Sequence, residues 1–139
     1  MTKLATDALL RALRQNPRAG SATLCRLLSG VNRSTLARAL GVLGPQVVRR
    51  GTARRARYAL RRTLRGSEAS LPLYRVDQAG RGHAAGRLDL SYPAGSALAC
   101  AEPFRWPLAD AMRDGWFDGL PYPFVEMRPQ GFLGRNFAH

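Results

Sequence analysis

Lysine is almost absent from this chain of 139 residues: of its 22 basic side chains, only Lys3 is not an arginine. Acids are scarce as well, nine in all, which leaves a formal net charge of +13. That imbalance excludes a generic neutral enzyme surface and points to a polyanionic partner. Cysteine is limited to Cys25 and Cys100, with no Cys-x-x-Cys spacing. The expectation is two buried thiols rather than a disulfide or a metal site. Long apolar runs are missing too. The longest uncharged stretch of the second half, Leu90 to Ala101, contains Pro93 and Gly95 and falls short of the ~20 residues a membrane span needs. Asp7 and Arg11 interrupt any apolar segment at the amino terminus, so a cytoplasmic location without membrane attachment is expected. His83 and His139 have no Cys, Asp or Glu at ligand or triad spacing; no metal, cofactor or catalytic site is expected.

What is present is unevenly distributed. Residues 1–66 hold fifteen cations and one acid, Asp7, whereas residues 67–139 hold seven cations and eight acids. A charge break of that size predicts two modules, 1–66 and 67–139, with different partners and a junction near Arg65, Gly66 and Ser67. The hydrophobic content of 45% is that of a chain that folds.

In the first module Leu9, Leu10 and Leu13 recur at helical spacing between Thr6 and Asn16, with Arg11 and Arg14 opposite. Thr6 is the expected N-cap, and Asn16, Pro17 and Gly20 the stop. Ser21 is expected to cap a second helix that turns Leu24, Leu27 and Leu28 inward and ends at Ser29 and Gly30. A third helix follows Asn32 as N-cap, with Leu36, Leu40 and Leu43 inward. Its other face presents Arg33, Ser34, Thr35 and Arg38. The pattern then changes to short extended runs, Val47 to Arg50 and Ala56 to Leu60, around Gly51 and a cluster of arginines. This reads as a hairpin with Tyr58 and Leu60 inward.

Three helices followed by a hairpin with a basic tip is the order of a winged helix-turn-helix, and the stretch Gly51 to Leu60 resembles the wing of bacterial regulators of that family. Two arginines on a helix ordinarily mark a solvated face, and Arg54, Arg55 and Arg57 alone read as a solubilising turn. Their conjunction in a strongly basic module is what singles them out. The expected partner is double-stranded DNA, with Arg33, Ser34, Thr35 and Arg38 in the major groove and Arg50, Arg54, Arg55 and Arg57 on the backbone or minor groove. About five phosphate contacts would give a log–log salt slope of roughly minus 4 to 5. The reading requires the arginines to be gathered on one contiguous strip.

In the second module, Leu73 to Gln78 and His83 to Leu90 alternate around a glycine-rich turn and read as two strands. Gly80, Gly82 and Gly86 are not a phosphate loop, because no helix and no Lys-Ser/Thr pair follow them. Ser96 to Ala101 reads as another strand, and Leu108 to Arg113 as a short helix. The plain reading of Trp116, Phe117, Tyr122, Phe124 and Phe132 is ordinary core.

The run Trp116-Phe117-Asp118-Gly119-Leu120-Pro121-Tyr122-Pro123-Phe124, continuing through Gly131-Phe132-Leu133-Gly134-Arg135, resembles the end of the amino-terminal subdomain of HipA-like serine/threonine kinase toxins of the YjjJ type. In that branch a winged helix precedes the subdomain. The resemblance implies a toxin–antitoxin setting and DNA-binding transcription regulation. It also implies docking of Trp116, Phe117, Leu120, Pro121 and Phe132 on a HipA-like kinase core, in the same or a separate polypeptide. The Gly-rich nucleotide loop, Lys, catalytic Asp and magnesium-binding Asp of such kinases are not in these residues, so the chain is expected not to be an enzyme by itself. The alternative is a protein-interaction module that docks on a separate kinase polypeptide. A homodimer is compatible with either. The expected fold class is α+β: a winged helix-turn-helix followed by a small, mostly antiparallel β module.

Overall fold

The computed structural model describes residues 3–101 and 112–125 and is α+β, with three principal helices and two antiparallel sheets. Helix α1, Lys3–Gln15, buries Leu9, Ala12 and Leu13 and turns Arg11 and Arg14 outward. It begins three residues before the expected Thr6 cap, so Thr6 lies inside the helix and no acid stands in the first turn. After a reversal at Asn16 to Arg18 come strand β1, Ala19–Gly20, and helix α2, Ser21–Leu27. The extended Gly20, not Ser21, is the N-cap of α2, and no side chain caps it. The buried stripe of this short helix runs through Leu24 toward Leu28; Leu27 lies off that stripe on the last turn and is exposed rather than inward.

Helix α3, Arg33–Leu43, starts as the sequence predicts. The Asn32 side-chain carbonyl accepts the backbone N–H of Thr35 at 2.8 Å. Leu36, Ala39 and Leu43 form its buried stripe, with Leu40 half-buried beside them. Strands β2, Val47–Arg50, and β3, Arg57–Leu60, then form an antiparallel hairpin, and the sheet order is β1-β3-β2. The turn between them needs a glycine. Gly51 has φ +89°, and a Cβ there would lie 2.5 Å from the carbonyl oxygen of Arg55.

Pairing of Val47 with Leu60 and Val48 with Ala59 sorts the hairpin into two faces. Val47, Tyr58 and Leu60 pack on the helices, as expected for Tyr58 and Leu60. Val48 and Ala59 form a second buried face, turned toward the other sheet.

That sheet comprises β4, Leu71–Val76; β5, Gly82–Ser91; β6, Gly95–Cys100; and β7, Trp116–Phe117, in the order β4-β5-β6-β7. One face gathers Leu88, Leu98 and Phe117 with Leu71, Leu73, Met112, Leu120 and Phe124, the last from the short helix α4, Tyr122–Val125. On the other face Ala97 and Trp116 meet Val48 and Ala59 in one buried cluster. The backbone links the sheets as well: Arg62 N–H donates to Leu90 C=O at 2.9 Å, and Tyr92 N–H to Leu60 C=O at 2.7 Å.

Cys25 is half-buried and Cys100 exposed at the end of β6, which corrects the expectation of two buried thiols; neither forms a disulfide. Most of the helix expected over Leu108 to Arg113 lies outside the described residues, and Met112 and Arg113 occupy a turn. Among the described residues no helix is long and apolar enough to cross a membrane.

Candidate nucleic-acid interface

The start of α3 is the best-defined part of the candidate site. Asn32 fixes the first turn, and Ser34 Oγ donates to the same Asn32 oxygen at 2.8 Å, so the Ser34 hydroxyl braces the cap. Thr35 is half-buried, beside Leu27, Leu28 and Leu36 in a groove between the helices. Arg33 and Arg38 are exposed and make no ion pair or hydrogen bond within the described residues. Of the four α3 residues expected in a groove, the two arginines are thus open to a ligand, while Ser34 and Thr35 serve the cap and the groove wall.

The hairpin arginines divide in the same way. Arg54 sits exposed in the 3-10 turn Ala53–Arg55 without a partner among the described residues. Arg57 is exposed and lays its guanidinium across Gly20, where a side chain would collide with it. Arg55 is held by Asp114, which accepts from Nε at 3.1 Å and lies 3.0 Å from Nη2. Arg50 is largely taken up: its Nη2 pairs with Oδ2 of Asp89 and its Nη1 donates to Arg49 C=O at 2.7 Å, only its buried Nε lacks a partner among the described residues, and only 20% of its side chain is exposed. Arg49, not singled out from sequence, is exposed on β2 without a partner among the described residues.

Asp89 is the centre of a seam between the two sheets. Arg61 Nη1 pairs with its other oxygen, which also accepts from Ser70 Oγ. Burial pushes this carboxyl up, but Ser70, Arg61 and Arg50 more than offset that, and it is held below the ordinary carboxylate value. Two more arginines cross the seam. Arg62 donates to the carbonyls of Ser91 at 3.1 Å and Gly95 at 3.2 Å. Arg18 donates to Phe117 C=O at 2.5 Å, pairs with Asp118 at 2.9 Å, and has its Cζ 5.7 Å from the centroid of the Trp116 ring. Gly95 leaves room for this arrangement, since a Cβ there would meet the Arg18 guanidinium at 2.5 Å and Phe117 O at 2.8 Å.

Asp89, Arg61, Arg62, Arg18 and Asp114 were not singled out from sequence. One signal for Asp89 was available: a lone carboxylate in Leu88-Asp89-Leu90, inside a strand, must find partners if the strand is covered on both faces. His83 also has a partner that spacing did not suggest, Asp77 Oδ2 at 2.8 Å across the β4–β5 turn. The hydrogen bond from His83 and the backbone N–H groups of Arg81 and Ala79 hold the Asp77 carboxyl below its ordinary value, against slight desolvation.

Of the residues expected to dock on a kinase core, Trp116 and Phe117 are only 4% and 2% exposed and face opposite sides of the sheet. Pro121 is buried and Leu120 half-buried against the apolar face; Phe132 lies outside the described residues.

Comparison with known proteins adds the lineage. Residues 67–139 match the model of the YjjJ-like toxin middle domain. Over 133 residues, 96% of this chain, the sequence is 40% identical to Toxin YjjJ of Escherichia coli (strain K12). The aligned part is 26% of that relative, so the chain spans about a quarter of the length of the curated protein it matches. No solved structure matches. The middle-domain match covers more than half of the chain and the identity extends through the helices before it, so the chain belongs to the YjjJ-like toxin family.

Proposed function

We propose that residues 1–66 are a winged helix-turn-helix that binds double-stranded DNA and serves as the regulatory DNA-binding region of a YjjJ-like toxin. The observation that carries this reading is the exposed pair Arg33 and Arg38 on the outer face of α3, without a partner among the described residues, in a module whose hairpin tip carries the exposed Arg54. The order α1-β1-α2-α3-β2-β3, with strand order β1-β3-β2, supports it, because a winged helix-turn-helix has this succession of three helices and a hairpin. In this reading Arg38 and Arg33 reach base edges, where an arginine fork matches guanine O6 and N7, and Arg54 and Arg57 hold phosphates.

The chain has no catalytic role in this proposal; phosphoryl transfer needs nucleotide- and metal-holding groups that its sequence does not supply. Docking on a kinase core through the tail aromatics is the weaker reading, because Trp116 and Phe117 are already covered by this chain's own sheets and hairpin.

Fluorescence anisotropy of a labelled duplex, titrated with the chain over a range of salt, tests the proposal. The two arginines placed on phosphates, Arg54 and Arg57, should give a log–log slope of about −1.8, shallower than the roughly minus 4 to 5 that about five phosphate contacts would give. Absence of binding at low salt, about 50 mM, refutes it.

A further inference from the structure

Arg54 and Arg55 are neighbours on the same hairpin tip, and only one of them is held. Both Nε and Nη2 of Arg55 converge on a single oxygen, Oδ2 of Asp114, at 3.1 and 3.0 Å. The backbone next to Asp114 is anchored. Gly115, the next residue, donates to Met112 C=O at 2.8 Å and accepts from Leu98 N–H at 2.7 Å, and Trp116 after it is buried under the hairpin. The pair is nevertheless exposed on the arginine side, 62% against 27% for Asp114, and exposed ion pairs add little to folding. The hairpin is held down by the Val48, Ala59, Ala97 and Trp116 cluster and by the Asp89 pairs. The main consequence of the Arg55–Asp114 contact is therefore electrostatic: it places a carboxylate where a phosphate would meet the hairpin tip.

We infer that Asp114 is an affinity-setting residue of the nucleic-acid interface, a built-in competitor that a DNA phosphate must displace from Arg55. The inference rests on the DNA-binding reading proposed above. A phosphate oxygen and the Asp114 carboxylate seek the same forked donors. Wild-type binding therefore counts Arg55 at less than its full charge, and removal of the carboxylate returns one phosphate contact to the interface.

The test uses the full chain and a 20-base-pair duplex (roughly two helical turns) with anisotropy read across a salt series and a thermal melt on each variant. Asp114→Asn should bind about two- to fivefold more tightly, the range set by what exposed ion pairs are worth, and its salt slope should steepen by about 0.9. Asp114→Glu, which keeps the charge, should return toward wild type. In an Arg55→Ala background the gain should vanish. If Asp114→Asn binds with wild-type affinity and slope, or more weakly, the pair only positions the hairpin and the inference is overturned. If the wild-type chain binds no duplex, the DNA reading falls and takes this one with it. Binding with Arg38-dependent selectivity but no response to Asp114→Asn removes only the present inference.

Discussion

Arg50 and Arg54 lie four residues apart on one hairpin and have opposite fates. Arg50 is folded under the β2–β3 ribbon onto the buried carboxylate of Asp89, whereas Arg54 stands in solvent without a partner among the described residues. The same division runs through the whole first module. Arg18, Arg50, Arg55, Arg61 and Arg62 reach into the second sheet and its flanking turns, while Arg33, Arg38, Arg54 and Arg57 face outward. Residue type does not decide between these roles; the presence of a carboxylate or carbonyl on the facing strand does. A module's formal charge therefore overstates the charge it can offer a ligand, and part of the basic excess in residues 1–66 is matched by Asp89, Asp114 and Asp118 of the other half.

The sharpest way to break this division is to remove the centre of the seam. Asp89→Asn leaves Arg50 and Arg61 partly buried without their anion, and stability should fall by about 3–5 kcal/mol in urea unfolding. Arg33→Ala should stay within roughly 0.5 kcal/mol of wild type in the same assay. Equal unfolding midpoints for Asp89→Asn and wild type would show that the seam arginines are no more structural than the outward ones. The pH dependence follows from the same site. Because the folded carboxyl lies below its unfolded value, the stability it contributes is fully present above the unfolded pKa and is lost as pH falls through the folded one. Acid unfolding of the wild type should therefore steepen below about pH 4, and Asp89→Asn should flatten that limb.

On the outward side the largest expected effect belongs to Arg38. Arg38→Ala should weaken the preferred duplex by about 1–3 kcal/mol and a scrambled one much less, measured by competition anisotropy, with the melting curve unchanged. Equal loss on both duplexes would make Arg38 a phosphate contact.

Much of the fold was legible because it is local. Leucine spacing marked all three helices, Asn32 marked the start of α3, and Gly51 marked the hairpin. Two helix starts left weaker traces: α1 opens before Thr6, and Gly20, which has no side chain to offer, rather than Ser21 is the N-cap of α2. The two-residue strand β1 carries no periodic signal at all and exists because β3 offers it an edge. The candidate site was half legible. Position along the chain correctly brought Arg33, Arg38 and Arg54 to the surface, but the fate of Arg50 and Arg55 depends on Asp89 and Asp114, 39 and 59 residues away. No local pattern encodes that pairing.

Asn32→Ala tests whether the outward arginines depend on the helix start that presents them. Loss of the bonds from Thr35 N–H and Ser34 Oγ should cost about 1 kcal/mol of stability. Duplex affinity should drop alongside, since a frayed first turn no longer fixes Arg33. A stability loss with unchanged affinity would place the important contacts nearer the other end of α3.

The smallest effect separates Arg54 from Arg55. Arg54 has no carboxylate partner among the described residues, so Arg54→Ala should remove a phosphate contact and little else. Binding should weaken alike on every duplex, and the salt slope should become shallower by about 0.9, which amounts to roughly a threefold smaller loss of affinity between about 50 and 200 mM salt. Arg55→Ala should move the slope by a smaller amount, because Asp114 already neutralises much of that guanidinium in the free protein. If the two alanine variants shift the slope equally, the Asp114 pair does not survive in solution, and the hairpin tip behaves as one uniformly free cluster of cations.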